Sequence, residues 1–193
     1  MIDIFEFTHN PLDILVRYPN NYRDIIELVE IIDNPSEQKI LLDYILDKIS
    51  LNKIDLDVIA YAFYLKAHLF DKIDVFLLKQ SAYYCSVFLE TNKNDIFIKS
   101  ILAWVYYDLG KFDFSLNVLN QIPFGVFSSH EYHQTWKDLF NEQLKICCLI
   151  QIGDFSNIEE LLFDFFIKIS SCESTDVPNT HLLAEAIKKR KQT

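Results

Sequence analysis

Asp95 to Ile122 read DIFIKSILAWVYYDLGKFDFSLNVLNQI, and the fold of the chain turns on how this stretch is parsed. In its first half, Ile98, Ile101, Leu102, Val105, Tyr106 and Leu109 recur at steps of three and four residues, which lines them along one helical face. Gly110 then supplies the residue that takes a positive φ at no steric cost, the usual way to end a helix. A second periodic run follows in Phe112, Leu116, Leu119 and Ile122, and Pro123 stops it. The reading is two antiparallel helices joined at Gly110. A lone amphipathic hairpin cannot hide both its faces, so this one needs neighbours.

Working outward, the chain reads as helix nearly throughout. Residues 1 to 9, where Ile2, Ile4 and Glu6 alternate with Asp3, Phe5 and Phe7, leave an edge strand open. Pro11 opens a short helix over 11 to 18, and another spans 22 to 33 with Ile25, Ile26, Leu28, Val29 and Ile32 apolar. Asn34 as N-cap, Pro35 in the first position and Glu37 three residues on mark the clearest helix start. That helix runs to about Ser50 and buries Ile40, Leu41, Tyr44, Ile45 and Ile49. Helix 55 to 70 carries Val58, Ala62, Leu65 and Leu69 on one stripe, and helix 74 to 90 turns Leu77, Ala82, Cys85 and Phe88 inward.

Beyond Pro123, Ser128 and Glu131 form a capping box that starts a long helix to about Ile152, which Gly153 ends. Ser156 and Glu159 repeat the signal for a helix to about 170. A polar linker over 171 to 177 leads to a last helix from about 179, whose Leu182, Leu183, Ala186 and Ile187 should dock it onto its predecessor. The fold class expected is all-α, with about ten helices in a single domain over residues 1 to 193.

Composition agrees. Half of the 193 residues are hydrophobic and 15% aromatic, while 3 Gly and 5 Pro are too few for the turns of an all-β fold. The net charge of −10 argues against nucleic acid or an anionic membrane as partner, because phosphate binding needs basic surface. It suits a basic protein partner, whose complementary field speeds encounter, or serves solubility alone. The last helix ends Lys188-Lys189-Arg190-Lys191, where cations complement the helix dipole. Cys85, Cys147, Cys148 and Cys172 form no CxxC and read as free thiols. Acidic residues at the N-terminus and the lack of a membrane-length apolar run point to the cytoplasm.

The central pair resembles a tetratricopeptide repeat. Leu102, Ala103, Tyr106, Gly110, Phe112, Ser115 and Leu119 carry the resemblance, while Lys99, Ile122 and Phe127 depart from the Trp, Ala and Pro of that motif. The better unit covers 95 to 123. A poorer unit over 138 to 170 keeps Gly153, Phe155 and Leu162 but has Leu149, Ile158 and Phe165 at motif positions. Gly110 and Gly153 lie 43 residues apart, against about 34 for the family, so the loop Phe124 to Ser129 would be an insertion. The resemblance implies stacked antiparallel helical hairpins forming a right-handed superhelical α-solenoid, with a concave groove for a peptide or protein. Its groove-facing, partner-binding positions fall on Phe97, Ser100, Trp104, Tyr107 and Asp108. Helix geometry places those residues opposite Leu102, Val105 and Tyr106. A Trp and a Tyr there either anchor an interface or are covered by another helix. The matching face of the poorer unit, Phe140, Gln143, Cys147 and Ile150, reads as core.

Chemical constellations are few. His130, Glu131 and His133 lack the HExxH spacing, and the capping box accounts for them better than a metal does. Glu159, Glu160 and Asp164 could pair as catalytic carboxylates but read as a solvated acidic face. No cofactor, metal, nucleic-acid or membrane site is expected. The expected function is non-catalytic: a module that binds and masks another protein, as an immunity or antitoxin protein neutralises a basic toxin. A secretion chaperone or scaffold adaptor is the alternative, and an enzyme with a cryptic inter-helix site the weaker one.

Overall fold

Short polar side chains mark where this chain turns helical. In the computed structural model, which describes residues 3–49, 55–129, 135–172 and 177–190, Asp3, Asn34, Asp74, Asp95 and Asn179 each accept a hydrogen bond from a backbone N–H two or three positions on. Each such bond satisfies a donor that a helix start leaves without an internal partner. A 3-10 turn over Ile4–Phe7 comes first. Ten α-helices follow among the described residues: α1 (Asp13–Arg17), α2 (Tyr22–Ile31), α3 (Pro35–Ile49), α4 (Leu56–Ala67), α5 (Val75–Thr91), α6 (Ile96–Asp108), α7 (Phe112–Leu119), α8 (Thr135–Ile152), α9 (Ile158–Ser170) and α10 (His181–Arg190). No strand occurs among those residues, and the protein is all-α. The edge strand left open near the N-terminus is a 3-10 turn instead, closed by the Asp3 carboxylate and anchored by buried Phe7.

One expected helix start moves. Ser156 gives its hydroxyl and N–H to Asp154, and α9 begins at Ile158, so a nearby carboxylate out-competes the helix end for this serine. The Ser128 backbone N–H and hydroxyl both donate to Asp138 of α8, at 2.8 and 2.6 Å. The capping box expected of Ser128 with Glu131, and with it His130 and His133, lies outside the described residues.

The chain divides into two units inside α6, Met1–Ile101 and Leu102–Thr193. In the first, α2 packs on α3, α3 on α4 and α4 on α5, around Ile25, Leu28, Leu41, Ile45, Ile59 and Leu78. Burying such a side chain is worth about 1.5–3 kcal/mol, so this stack dominates what holds the unit together. Asp43 of α3 clamps the layer by meeting Lys39 at 2.6 Å and Lys66 of α4 at 2.5 Å. The α4–α5 pair is antiparallel in register: the Asp74 N–H donates to the Ala67 carbonyl, and the buried Ser81 hydroxyl donates to the Ala60 carbonyl at 2.8 Å. Small residues at 60 and 81 let the two backbones approach. The inward stripe of α5 is therefore Leu78, Ser81 and Cys85, while Leu77, Ala82 and Phe88 are only half-buried. On α3, Ile40 is exposed and Leu42 and Leu46 are core in its place.

In the second unit, α7, α9 and α10 each pack on α8, around Leu139, Ile146, Cys147, Phe165, Leu183 and Ala186. The last helix docks chiefly on α8 rather than on α9, the predecessor its apolar stripe was expected to meet. Buried Gln143 of α8 steers it there, donating to the Asn179 carbonyl at 2.9 Å just ahead of α10. Gly110 and Gly153 end α6 and α8 by one mechanism. With φ of 70° and 80°, each lets the next residue's N–H reach back: Lys111 to the Tyr106 carbonyl at 2.8 Å, Asp154 to the Leu149 carbonyl at 3.0 Å. No helix among the described residues is long and apolar enough to cross a membrane.

Candidate binding surface

The stripe of α6 is not open along its length. Phe97 is half-buried, its ring meeting Tyr61 of α4 edge-on at 5.2 Å. Ser100 is wholly buried. Trp104 is 3% exposed, its indole N–H donating 2.8 Å to the Asn141 amide oxygen of α8 and its ring meeting Phe140 edge-on at 5.4 Å. Tyr107 is half-buried against Phe112. Asp108 is half-buried at the helix end. The expectation of an uncovered aromatic flank is thus corrected at Ser100 and Trp104. The physical reason is that α6 carries apolar residues beyond its inward stripe, so a second helix packs on the Trp104 side.

The neighbour that covers Trp104 is α8, whose inward side is unusually polar. Lys137, Asp138, Asn141 and Gln143 are all buried. Three have visible tasks: Asp138 gathers the 127–128 backbone, Asn141 satisfies the indole, and Gln143 holds the approach to α10. The Lys137 ammonium lies 5.3 Å from the Trp136 ring centre. Of the face expected to be core in the poorer unit, Gln143, Cys147 and Ile150 are buried, while Phe140 is half-buried.

Titratable groups in these interiors shift toward their neutral forms. Burial pushes the Cys85 and Cys147 thiols up to about 12 and the Cys148 thiol up to about 11. Burial, followed by the neighbouring Cys147 and Cys148, raises the Tyr107 hydroxyl. Burial and then the Glu30 carboxylate, which accepts its hydrogen bond, raise Tyr61. Protonated thiols are poor nucleophiles, so this environment favours packing over reactivity. No group of three His, Cys, Asp or Glu is arranged for a metal ion among the described residues.

Exposed apolar surface lies elsewhere. On α9, Phe163, Phe166 and Ile167 are 67%, 52% and 50% exposed. On α5, Phe76 and Tyr83 are exposed two turns apart, with Phe70 and Ile73 in the preceding loop. The sequence does carry a signal for the α9 patch. Ile158, Leu161, Leu162, Phe165 and Ile169 already complete one inward stripe, so the other three apolar residues are in excess of what one face needs. The acidic residues expected to form a solvated face, Glu159, Glu160 and Asp164, are exposed beside them. Compared with known proteins, the chain matches no family profile, no curated protein and no solved structure.

Proposed function

We propose that this protein is a non-catalytic binding protein of tetratricopeptide-like hairpins that grips and masks a partner protein, as an immunity or antitoxin protein does a basic toxin. The repeat-like reading rests on one contact that occurs twice. The Ser81 hydroxyl donates to the Ala60 carbonyl between α4 and α5, and the Ser115 hydroxyl donates to the Ala103 carbonyl between α6 and α7, both at 2.8 Å and both buried. Ala103 and Ser115 are among the residues that carry the resemblance. Contacts between alternate helices also recur at similar spacing: Tyr61 with Phe97, 36 residues apart, and Trp104 with Asn141, 37 apart. Both values are near the repeat length of about 34.

The binding reading is supported by large apolar side chains left outside on α5 and α9 after each helix has completed its inward stripe. A net charge of −10 favours a basic partner. Capture of the tagged chain from its native host, followed by reconstitution with the purified partner, tests the proposal. The expected result is a stoichiometric complex with a basic protein whose own activity is suppressed. Failure to form any such complex at physiological salt removes the binding reading, and a complex that leaves the partner fully active removes the masking reading.

A further inference from the structure

We propose that the outer face of α9 is the docking surface, and that its occupant is a basic amphipathic segment of the partner, with aliphatic side chains beside lysines or arginines. This rests on the protein-binding reading above. Phe163, Phe166 and Ile167 stand at i, i+3 and i+4, so they form one continuous ridge on the helix. The opposite side of α9 already carries Ile158 and Phe165 into the core shared with α8 and α10. The ridge lies outside that core, and an exposed aromatic ridge of that kind marks an interaction surface.

Charge decides the occupant. Glu160 and Asp164 border the ridge, three residues before and one after Phe163, and Glu159 lies on the same exposed arc. Between Lys145 and Lys168 the chain has no Lys or Arg at all. Lys168 itself is turned away, its ammonium 4.0 Å from the Phe124 ring centre and 3.5 Å from Glu142. The helix dipole accounts for Glu159 and Glu160 in the first turn, but not for Asp164 in mid-helix. A second copy docking two-fold on this ridge would set carboxylates against the same carboxylates. An anionic membrane meets the same repulsion, and a purely apolar partner would desolvate the acids without pairing them. A cationic amphipathic segment satisfies both ridge and rim.

The test uses the full chain and two fluorescent peptides of about twenty residues with leucines at helical spacing, one with lysines between them and one with glutamates. Anisotropy titration should show binding of the lysine peptide only. Phe163→Ser/Ile167→Ser should weaken it by about tenfold or more, as expected on losing a central apolar anchor. Glu160→Gln/Asp164→Asn should weaken it less, by about three- to fivefold, and flatten its salt dependence. All four positions are exposed, and circular dichroism melts confirm that the variants fold. Equal binding of the two peptides, unchanged affinity in both variants, binding to phosphatidylglycerol vesicles, or a self-association abolished by Phe163→Ser/Ile167→Ser would each overturn the proposal. If the native partner is captured equally by wild type and by Phe163→Ser/Ile167→Ser, the α9 assignment fails while protein binding stands. If wild type captures no partner, the broader reading fails with it.

Discussion

An indole on the non-core stripe of an amphipathic helix has two fates, and for Trp104 the Asn141 amide decides between them. The 2.8 Å bond leaves no polar reason for the indole to face water. Trp104→Ala should then destabilise the protein by about 3–5 kcal/mol, combining a cavity with the loss of the indole–amide bond, read as a lower urea midpoint. Trp104→Phe keeps most of the volume but removes the indole N–H donor to Asn141 and should cost about 0.5–1.5 kcal/mol. Provided it is folded, Trp104→Phe should still capture the partner; loss of capture in a folded variant would return the interface to α6. The cysteines give an independent reading of the same interiors. Cys172 is half-buried, whereas Cys85, Cys147 and Cys148 are buried with thiols raised to about 12, 12 and 11. Labelling with an aromatic disulfide at pH near 8 should modify Cys172 first and the other three only on addition of denaturant. Fast reaction at Cys147 in native protein would contradict the packing of α8.

Elements are set by short-range devices whose strength can be tested singly. At Gly110 an added Cβ would meet nothing within 4 Å, so only the backbone angle of 70° opposes a side chain there. Gly110→Ala should cost about 1–2 kcal/mol and Gly110→Asn less, because asparagine tolerates the left-handed region. Thermal melts of the two variants measure the difference. The clamp between α3 and α4 carries a pH signature. Burial acts to raise the Asp43 carboxyl, but Lys39 and Lys66 outweigh it and hold the group below its ordinary value. A carboxylate with a depressed folded pKa stabilises the native state above its unfolded value of about 3.9 and loses that contribution as pH falls through the folded pKa. Asp43→Asn should therefore lower stability at pH 7, and its gap from wild type should narrow as pH falls below the unfolded value of about 3.9. A gap of constant size across pH 3 to 7 would show that the lysines do not act through charge.

For the molecule entire, charge and exposed apolar surface work against each other. At neutral pH a net charge of −10 keeps copies apart, and near the pI of 4.9 that repulsion vanishes while the ridges on α5 and α9 remain. Turbidity should peak near pH 4.9 and fall for Phe163→Ser/Ile167→Ser. Much of the architecture is legible from residues alone, because its signals are local. Gly110 and Gly153 end their helices, and Asn34 and Pro35 start α3, through groups a few positions apart. Periodicity likewise placed Ile25, Leu41, Ile98, Ile101 and Leu183 in the core. It failed where two helices compete for one residue. Ser81 became core by bonding Ala60, and Trp104 passed from a free stripe to the interior. By itself the sequence determined helical class, most helix ends and acidity, since each depends on neighbours along the chain or on composition. Which apolar faces are covered was decided only by the tertiary structure: a face is buried or bare according to the helix that lands on it, so α8 closes Trp104 while no helix among the described residues seals Phe163.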